Sequence, residues 1–515
     1  MRKFIQNFAL PIAVFMAISF TGCKDKDKED DPVITEPEEE QILFGPDKTQ
    51  IGDGKKSFYI FEDHTIKKGV YTMVGWIYIM DGATLTIEPG TVIKGSDFNY
   101  NGTQSATGSS LIIKQGAKIM AQGTATDPIV FTSAKPKGQR QASDWGGIII
   151  CGKAKNNLGM MAIEGGVDAP HGGQNDDDNS GVLSYVRIEF GGYPYFTDNE
   201  INGLTLGSVG RGTKIDHVQV SYAGDDSFEW FGGSVNCKYL VAYHGCDDDF
   251  DTDNGFSGKL QFLLSVRDPK IADQSNSNGF ESDNNAAGST QSPYTSAVFS
   301  NVTVIGPIGQ DNNFENNKDT YVNGYNWGST SDAAYAIRPG IFQAAMQIRR
   351  NSRISCFNSV FTGYPVGLML SNELGNTQGA ANDGLLKIKN VIFAGMSMTG
   401  ADADKKDYTW SGDISKNYFQ KSGLNNQEFA SVDDLMLKQF RSKKLPIPAT
   451  GFAADDNTAN WGPMIGSPLL NAADFSDAFL SDTFFTKVTY VGAFASDSDN
   501  WMAGWTNFDP QNANY

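Results

Sequence analysis

Acidic side chains recur at matching positions in three consecutive segments of the chain. Residues 224–231 read Gly-Asp-Asp-Ser-Phe-Glu-Trp-Phe, and 246–253, at an offset of 22, read Cys-Asp-Asp-Asp-Phe-Asp-Thr-Asp. Residues 278–283 then repeat the tail of this pattern as Asn-Gly-Phe-Glu-Ser-Asp. The alignment places seven carboxylates in three columns: Glu229 with Asp251 and Glu281, Asp253 with Asp283, and Asp226 with Asp248.

Columns of carboxylates repel one another, and this repulsion limits the chemistry that they can do. On strands about 4.8 Å apart, two carboxylates repel by roughly 3.5 kcal/mol at an effective dielectric constant of about 20. A bound Ca²⁺ relieves the repulsion, as do carboxyls kept protonated by a raised pKa, which suit acid catalysis, or side chains that spread into solvent. We expect Ca²⁺, and its predicted ligands are Asp226, Glu229, Asp248, Asp251, Asp253, Glu281 and Asp283.

Aromatic residues near these acids are candidates for stacking on sugar rings. Trp230 directly follows Glu229, and Tyr193 and Tyr195 lie in an insertion after two glycines. We expect these three rings to project from a rigid β face and to bind ligand. No nucleophile elbow, phosphate loop or HExxH motif is present in the sequence, so we assign no catalytic residue.

A repeat of the same length continues through neighbouring hydrophobic segments. Residues 217–222, 239–244 and 261–266 align at successive offsets of 22, which puts Val218 and Phe262 in one inward-facing column. This period is too short for a βαβ unit of about 30 residues, and no helical pattern intervenes. The repeat therefore predicts a solenoid of short strands, which is a parallel β-helix.

Residues 111–148 carry a phrase that resembles a known superfamily. They read Leu-x-Ile-x-x-Gly-x-x-Ile, then Gly-Thr-x-x-x-Pro-Ile-x-Phe-Thr-Ser, then Trp-Gly-Gly-Ile. This phrase resembles the right-handed β-helices of the pectin-lyase-like superfamily. The chain is closer to poorly characterised surface lipoproteins of the Bacteroidota, which end in segments similar to 490–494 and 501–506. The resemblance covers roughly residues 70–400 and implies the fold better than the activity.

The expected fold is all-β: a right-handed parallel β-helix solenoid with a small, partly helical C-terminal cap. Its expected divisions are a lipoprotein signal peptide (1–22), an acidic flexible tether (23–45), the β-helix (46–400), an irregular or helical insertion or cap (401–480) and a C-terminal closing segment (481–515). Within the cap, the pattern predicts an amphipathic helix over 431–440 with Ser431 as its N-cap.

The first residues read as a targeting signal. Two basic residues precede an apolar run over 8–20, which is too short for a bilayer span of about 18 residues. The small residues before Cys23 resemble a lipobox, which implies cleavage before Cys23 and acylation of its thiol, for example by palmitate. An ordinary secretory signal with a chance cysteine is the alternative. The acidic run after Cys23 resembles the surface-export signal of Bacteroidota lipoproteins, which implies a lipid-anchored protein of the outer membrane facing the exterior.

Composition narrows the classes of partner. With 60 acidic and 41 basic residues and a net charge of -19, nucleic acid is excluded as a partner. A hydrophobic content of 40% is enough for a sizeable core, and 56 glycines indicate many turns. The remaining cysteines lack CxxC spacing, so we expect buried thiols at Cys237 and Cys246 in preference to a disulfide.

Together these features predict a cell-surface β-helix that binds or scaffolds an extracellular polymer, preferably a glycan, with Ca²⁺ at the acidic columns. Two alternatives stay open: a polysaccharide lyase or glycosidase that uses the same carboxylates, and an adhesin or structural spacer. A lyase would need a basic residue near the cation, and Arg349, Arg350 and Arg353 form the one tight basic cluster of the predicted β-helix. The sequence identifies no transporter partner.

Overall fold

Two long parallel sheets dominate the computed structural model of this protein. It describes residues 49–53, 57–96, 108–196, 199–269, 271–273, 275–310, 314, 316, 341–403, 410–439 and 459–515. The predicted signal peptide and tether, including Cys23, lie outside these described residues. No helix in the described ranges has the length and apolar character needed to cross a membrane.

Thirty strands and a few short helices make up the described chain. The strands of the first half are β1 (Gln50–Ile51), β2 (Ser57–Ile60), β3 (His64–Ile66), β4 (Val70–Met73), β5 (Trp76–Ile79), β6 (Thr84–Ile87), β7 (Val92–Gly95), β8 (Ser110–Ile113), β9 (Lys118–Gln122), β10 (Ile129–Ser133), β11 (Gly147–Cys151), β12 (Met161–Ala162), β13 (Pro170–His171), β14 (Gly181–Glu189), β15 (Tyr193–Phe196), β16 (Asn199–Ile201), β17 (Leu204–Val209) and β18 (Lys214–Ser221). Those of the second half are β19 (Phe228–Gly233), β20 (Asn236–Tyr243), β21 (Phe250–Asp253), β22 (Lys259–Val266), β23 (Phe280–Ser282), β24 (Val298–Ile305), β25 (Ala344–Ile348), β26 (Ser355–Thr362), β27 (Val366–Leu370), β28 (Ile388–Ala394), β29 (Met398–Ala401) and β30 (Gln427–Phe429). The helices are α1 (Pro307–Gln310), α2 (Thr377–Asn382) and α3 (Ile414–Phe419), with 3-10 turns at Val432–Leu435, Ala478–Leu480 and Pro510–Asn512.

Successive coils add one strand to each sheet in turn. The larger sheet has 15 strands and its main path runs β1-β4-β7-β10-β14-β18-β20-β22-β24-β26-β28-β30, while the smaller sheet has 11 and runs β2-β5-β8-β11-β17-β19-β21-β23-β25-β27-β29. The pairings within both sheets are parallel, and the two small hairpins, β12 with β13 and β15 with β16, lie outside them. This is the parallel β-helix that the repeat predicted.

From β14 onward, each long strand of the larger sheet bends at one residue with positive φ. Strand β14 pairs with β9 through its first half and with β10 through its second, and the bend between them is Tyr185. The bend residues have φ between 50° and 63° and are Tyr185, His217, Tyr239, Phe262, Asn301, Asn358 and Asn390. Asparagine tolerates this left-handed conformation better than most residues, so three of the seven positions fit the backbone directly.

Phe262 belongs to this bend column, which corrects the alignment made from sequence. Leu240 pairs with Leu263, so the offset between these two coils is 23 residues and Phe262 does not lie beneath Val218. The ring of Phe262 instead stacks on Tyr239 with ring centroids 5.2 Å apart, and His217 stacks on Tyr239 at 4.5 Å. Phe262, which the 22-residue repeat assigned to the core, therefore belongs to a stack of aromatic rings at the bend.

The C-terminal segment, residues 459–515, runs back along the larger sheet over the bend column. Its early part contacts late coils, since the Asn390 side chain donates to the Ala472 carbonyl at 2.8 Å. Its last residue contacts an early coil, since the Lys94 ammonium donates to the Tyr515 carbonyl at 2.9 Å. Between them, Trp505 packs edge-on against Tyr185 at a centroid distance of 6.0 Å. The segment thus joins coils far apart along the axis.

The helix predicted over 431–440 is shorter than expected. Ser431 does cap it, because its hydroxyl accepts from the Asp433 amide at 3.2 Å, but only Val432–Leu435 forms a 3-10 turn. The turn ends because Met436 adopts φ 52° and Leu437 then forms an antiparallel bridge with Pro463. Strand β30 pairs with β28, and no further strand follows it in the described part of the larger sheet.

Replacing Asn358 with alanine is expected to lower the free energy of unfolding by about 3–4 kcal/mol. The fully buried Asn358 amide accepts from the Asp474 amide at 2.8 Å and donates to the Asp474 carbonyl at 3.1 Å. Each lost hydrogen bond costs roughly 1 kcal/mol, and alanine adds roughly 1–2 kcal/mol of left-handed strain. Urea unfolding measures the loss. Asn358→Gly loses the same hydrogen bonds but avoids the left-handed strain, so it should cost less than Asn358→Ala. Equal losses of stability in the two variants would contradict this account.

Candidate functional site

The three acidic segments occupy consecutive coils of the smaller sheet. Strands β19, β21 and β23 pair in register, so Glu229 lies beside Asp251 and Asp251 beside Glu281, as the sequence alignment placed them. The nine carboxylates gathered at this edge are named here the acidic cluster: Asp225, Asp226, Glu229, Asp247, Asp248, Asp251, Asp253, Glu281 and Asp283. These nine acidic side chains therefore lie together on three consecutive coils.

Backbone amides of each next coil hold one column of the cluster in place. The Asp248 amide donates to Asp226 Oδ1 at 2.8 Å, and the Asn278 amide donates to Asp248 Oδ1 at 2.5 Å. Asn278 continues the ladder, because its Oδ1 accepts from the Ala344 amide at 3.0 Å. Asp226 and Asp248 thus have a structural task in the turns that precede the strands, in addition to any ligand role.

Two arginines compensate the C-terminal end of the cluster. Arg349 Nε donates to Asp283 Oδ1 at 2.9 Å, and its guanidinium also pairs with Glu281. Arg350 donates to Asp283 Oδ2 at 2.5 Å. Asp253 is partly satisfied by its neighbour, since the Asn254 amide donates to Asp253 Oδ1 at 2.5 Å. Oxygens of Glu281 and Asp283 that bind guanidinium groups are poorly placed to ligate a cation.

Arg353, the third residue of the basic cluster, lies elsewhere. Its guanidinium lies over the ring of Tyr294 at 3.3 Å from the centroid, where a cation–π contact stabilises it.

At the other end of the cluster, Asp226, Glu229 and Asp251 form no ion pair with a described residue, although the charge of Arg349 also acts on Asp251. Asp226, Glu229 and Asp251 each offer one oxygen, and these oxygens all lie within 4.8 Å of one another. Asp225, Asp226 and Asp247 form a second such group. Asp251 Oδ1 is closed to solvent and accepts no hydrogen bond from the described residues. Such a set of carboxylate oxygens is the donor set that hard cations such as Ca²⁺ prefer.

Burial gives these carboxyls unusual titration behaviour. Asp226 and Glu229 are each only 7% exposed. Burial raises the pKa of Asp226 well above its usual range, and the charges of Asp225 and Asp248 raise it further. The pKa of Asp251 is likewise raised well above its usual range, first by burial and then by Glu281 and Asp253. The sequence left open that the carboxylates relieve their repulsion by spreading into solvent. The burial of Asp226 and Glu229 shows that this alternative is wrong for this end of the cluster.

Trp230 is not an exposed ring, which corrects its assignment as a ligand-binding residue. It is fully buried inside the coil, and its ring stacks on Phe228 at 5.9 Å and on Phe256 at 5.5 Å between centroids. Alternation along the strand explains this, because Glu229 points outward and its neighbour must point inward. Tyr193 is half-buried in the hairpin of β15 and β16, and the Tyr195 side chain lies outside the described residues.

Several residues of the site were not chosen from sequence. Asp225 and Asp247 precede the selected Asp226 and Asp248 in the same alignment, so the repeat itself could have found them. Asn202 donates from its amide to Glu229 and accepts from the Asp226 amide at 3.3 Å. Nothing in the local sequence marks Asn202, because it lies in a turn one coil earlier.

The four cysteines after Cys23 are free and buried, so the expectation of thiols at Cys237 and Cys246 is confirmed. Burial raises the pKa of Cys237. A protonated, enclosed thiol is a poor nucleophile, so these cysteines add no chemistry to the site.

The comparison with protein families agrees with the fold. A family model described as "Pectate-lyase like beta helix domain" matches residues 59–433. A solved structure, the Dettilon tailspike protein (gp208), is 13% identical, with a TM-score of 0.23 over 74% of this chain and 62% of the tailspike chain. No curated protein matches the chain. The match of the family model over most of the length shows that the chain belongs to the pectate-lyase-like β-helix family.

Proposed function

We propose that the protein binds an acidic extracellular polysaccharide through a Ca²⁺ ion held by Asp226, Glu229 and Asp251. The observation that carries the proposal is the end of the acidic cluster where the buried Asp226 and Glu229 and the half-buried Asp251 converge without an ion pair to any described residue. Ca²⁺ takes six to eight oxygen ligands. Three carboxylates leave positions for oxygens of a bound polymer.

The charge of the chain favours a cation as the link to an acidic ligand. A net charge of -19 repels polyanions, and the acidic cluster repels them most strongly at close range. Ca²⁺ bound between protein and ligand carboxylates reverses this repulsion locally. The family description supports the ligand class, because pectate is an acidic polysaccharide. We therefore propose uronate-containing polymers as the ligands.

A polysaccharide lyase is the second candidate, because the Arg349 guanidinium lies at the acidic cluster. A catalytic base must release its proton near neutral pH. Burial alone lowers the pKa of Arg349, but the charges of Glu281 and Asp283 outweigh it and raise that pKa well above its ordinary value. Arg349 is therefore held as a cation, which favours binding over cleavage.

A panel of immobilised polysaccharides tests binding and cleavage together. The mature protein should be retained on polygalacturonate in Ca²⁺ and released by a chelator, with no new unsaturated or reducing ends. Asp251→Asn should abolish retention, whereas Asp383→Asn, an exposed aspartate outside the cluster, should leave it unchanged. Release of unsaturated ends would favour the lyase. Ca²⁺-independent retention would contradict the cation, and no retention would favour a spacer.

We further propose that acylation of Cys23 anchors the protein to the outer membrane with the β-helix facing the exterior. The lipobox-like residues before Cys23 and the acidic run after it support this proposal. Labelling of cells with a palmitate analogue should mark the wild type and not Cys23→Ser. Protease added to intact cells should degrade the anchored protein, and protection from protease would contradict the exterior location.

The stabilisation by Ca²⁺ is expected to grow as the pH rises from about 5 to 8. Because the folded pKa values of Asp226, Glu229 and Asp251 are raised, the folded protein without cation binds extra protons and loses stability as the pH rises. Ca²⁺ replaces those protons. Melting curves with Ca²⁺ and with chelator, recorded across this range, measure the difference. A difference that is constant with pH would contradict cation binding at these carboxyls.

Two buried histidines also make the stability of the protein depend on pH, but in the direction opposite to the carboxyls. The effect of Ca²⁺ must therefore be taken as the difference between melting temperatures with Ca²⁺ and with chelator. Burial lowers the pKa of His171 and of His244 to about 4. Their contribution to stability is therefore lost as the pH falls from about 6.5 towards 4. This loss affects both curves equally and cancels when one is subtracted from the other.

A further inference from the structure

Asn202 contacts two of the proposed cation ligands, although it lies one coil before them. Its side chain is 1% exposed, and it occupies the turn between β16 and β17. Its amide nitrogen donates to Glu229 Oε2, and its Oδ1 accepts from the Asp226 backbone amide at 3.3 Å. A single buried side chain therefore holds both the Glu229 carboxylate and the backbone that carries Asp226.

The Glu229 side chain has no other hydrogen-bond donor within the described residues. Thr205, its neighbour on the preceding strand of the sheet, has a hydroxyl that is closed to solvent and makes no hydrogen bond there. Asp251, its neighbour on the following strand, carries a like charge. When both carboxyls are ionised, their repulsion favours rotation of the Glu229 side chain away from Asp251. The hydrogen bond from Asn202 opposes that rotation.

The turns before the strands separate this contact from the structural task of Asn202. The Oδ1 atom accepts the backbone amide of the next coil at four successive turn positions, which are Asn202, Asp226, Asp248 and Asn278. This ladder uses one oxygen of each side chain, so asparagine and aspartate serve it equally. The amide nitrogen of Asn202 has no part in the ladder, and it donates to Glu229.

We propose that Asn202 is a positioning residue of the cation site, which holds Glu229 through Oε2 and leaves its other oxygen to bind the ion. The proposal rests on the proposed function and adds a residue to the site. Residues that orient metal ligands through hydrogen bonds typically lower the affinity for the metal by roughly 10- to 100-fold when they are replaced. Asn202 should therefore matter for Ca²⁺ binding without contacting the ion.

Calorimetric titration of the full chain with Ca²⁺ tests this role. Asn202→Ala should weaken Ca²⁺ binding roughly tenfold or more. In a chain that already carries Glu229→Ala, the same substitution should add little, because both changes act through one carboxylate. The matched control is Asn358→Ala, which also removes hydrogen bonds of a buried asparagine but lies on the larger sheet, and it should bind Ca²⁺ as the wild type does.

Terbium luminescence adds a measurement that a purely structural role of Asn202 would not change. Tb³⁺ is a hard cation that replaces Ca²⁺ at oxygen ligands, and its luminescence lifetimes in H₂O and D₂O count the water molecules on the bound ion. Asn202→Ala should add water to the ion, as Glu229→Ala should, because the Glu229 oxygen is no longer held in place. Asn358→Ala should leave the hydration of the ion unchanged.

The outcomes separate failure of the positioning role from failure of the proposed function. If Asn202→Ala binds Ca²⁺ as tightly as the wild type, or leaves the hydration of Tb³⁺ unchanged, the positioning role is overturned and the cation site stands. The same holds if its effect adds in full to that of Glu229→Ala, or if Asn358→Ala weakens binding equally. A wild type that binds no Ca²⁺ overturns both the cation site and the role of Asn202.

Discussion

Replacing Asp251 with asparagine is expected to raise the melting temperature of the protein in chelator and to abolish the further rise in Ca²⁺. The variant removes one of three converging charges that form no ion pair with a described residue, and each pair at about 4.8 Å costs roughly 3.5 kcal/mol at an effective dielectric constant of about 20. Some of that cost is already avoided because the raised pKa values keep protons on the folded cluster. We therefore expect a gain of about 1–2 kcal/mol in chelator.

The loss of the Ca²⁺ response is the larger effect of the same substitution. A ligand at 100 times its dissociation constant stabilises the folded state by about 2.7 kcal/mol, and the asparagine variant should lose nearly all of this. Scanning calorimetry with and without Ca²⁺ measures both effects, with Asp383→Asn as the matched control. A variant that melts lower than the wild type in chelator would show that Asp251 does not suffer net repulsion.

Replacing Arg267 with alanine is expected to destabilise the protein by about 3–5 kcal/mol, the usual cost of removing one partner of a buried ion pair. Arg267 and Asp249 are both fully buried, and Arg267 donates to Asp249 Oδ1 at 2.9 Å. The same guanidinium donates to the Asp247 carbonyl at 2.6 Å and to the Cys246 carbonyl at 3.1 Å. Its loss removes one donor from the Asp249 carboxylate and one from each of two carbonyls, in the turn that carries Asp247 and Asp248.

Urea unfolding of single and double variants measures this effect. The pair Arg267→Met with Asp249→Asn should recover part of the loss, because neither charge is then buried alone. The exposed pair of Arg211 and Asp177, with side chains 52% and 82% exposed, is the matched control. Arg211→Ala should cost less than about 1 kcal/mol. Similar losses for Arg211→Ala and Arg267→Ala would contradict the dominant role of burial.

The acidic columns could be predicted from the sequence because they follow from periodicity alone. Parallel stacking repeats like residues over one another, so Glu229, Asp251 and Glu281 needed only the correct period. The period is not strictly constant, however, and one added residue before Phe262 moved that side chain from the core to the bend column. Trp230 shows a different error, because strict alternation would have placed it inside the coil.

Long-range contacts explain what the sequence did not predict about the site. The position of Arg349 beside Glu281 depends on which coils become neighbours after the long insertion before β25, and no local pattern states this. The packing of Trp410 against Met369 and Ala401 likewise comes from a residue after the last strand of the smaller sheet. The repeat thus determines which acidic residues lie over one another, and the insertions between coils determine which other side chains contact them.

The course of the C-terminal segment has a consequence for how the chain is completed during synthesis. The Arg140 guanidinium donates to the carbonyls of Pro510 at 2.9 Å and Ala513 at 3.0 Å, although 370 and 373 positions separate these partners along the chain. Such distant pairing slows folding, because a long loop must close before the contact forms. A nascent chain can therefore stack its first coils early, but the contact of Arg140 with the C-terminal segment cannot form until residues 510–513 have left the ribosome.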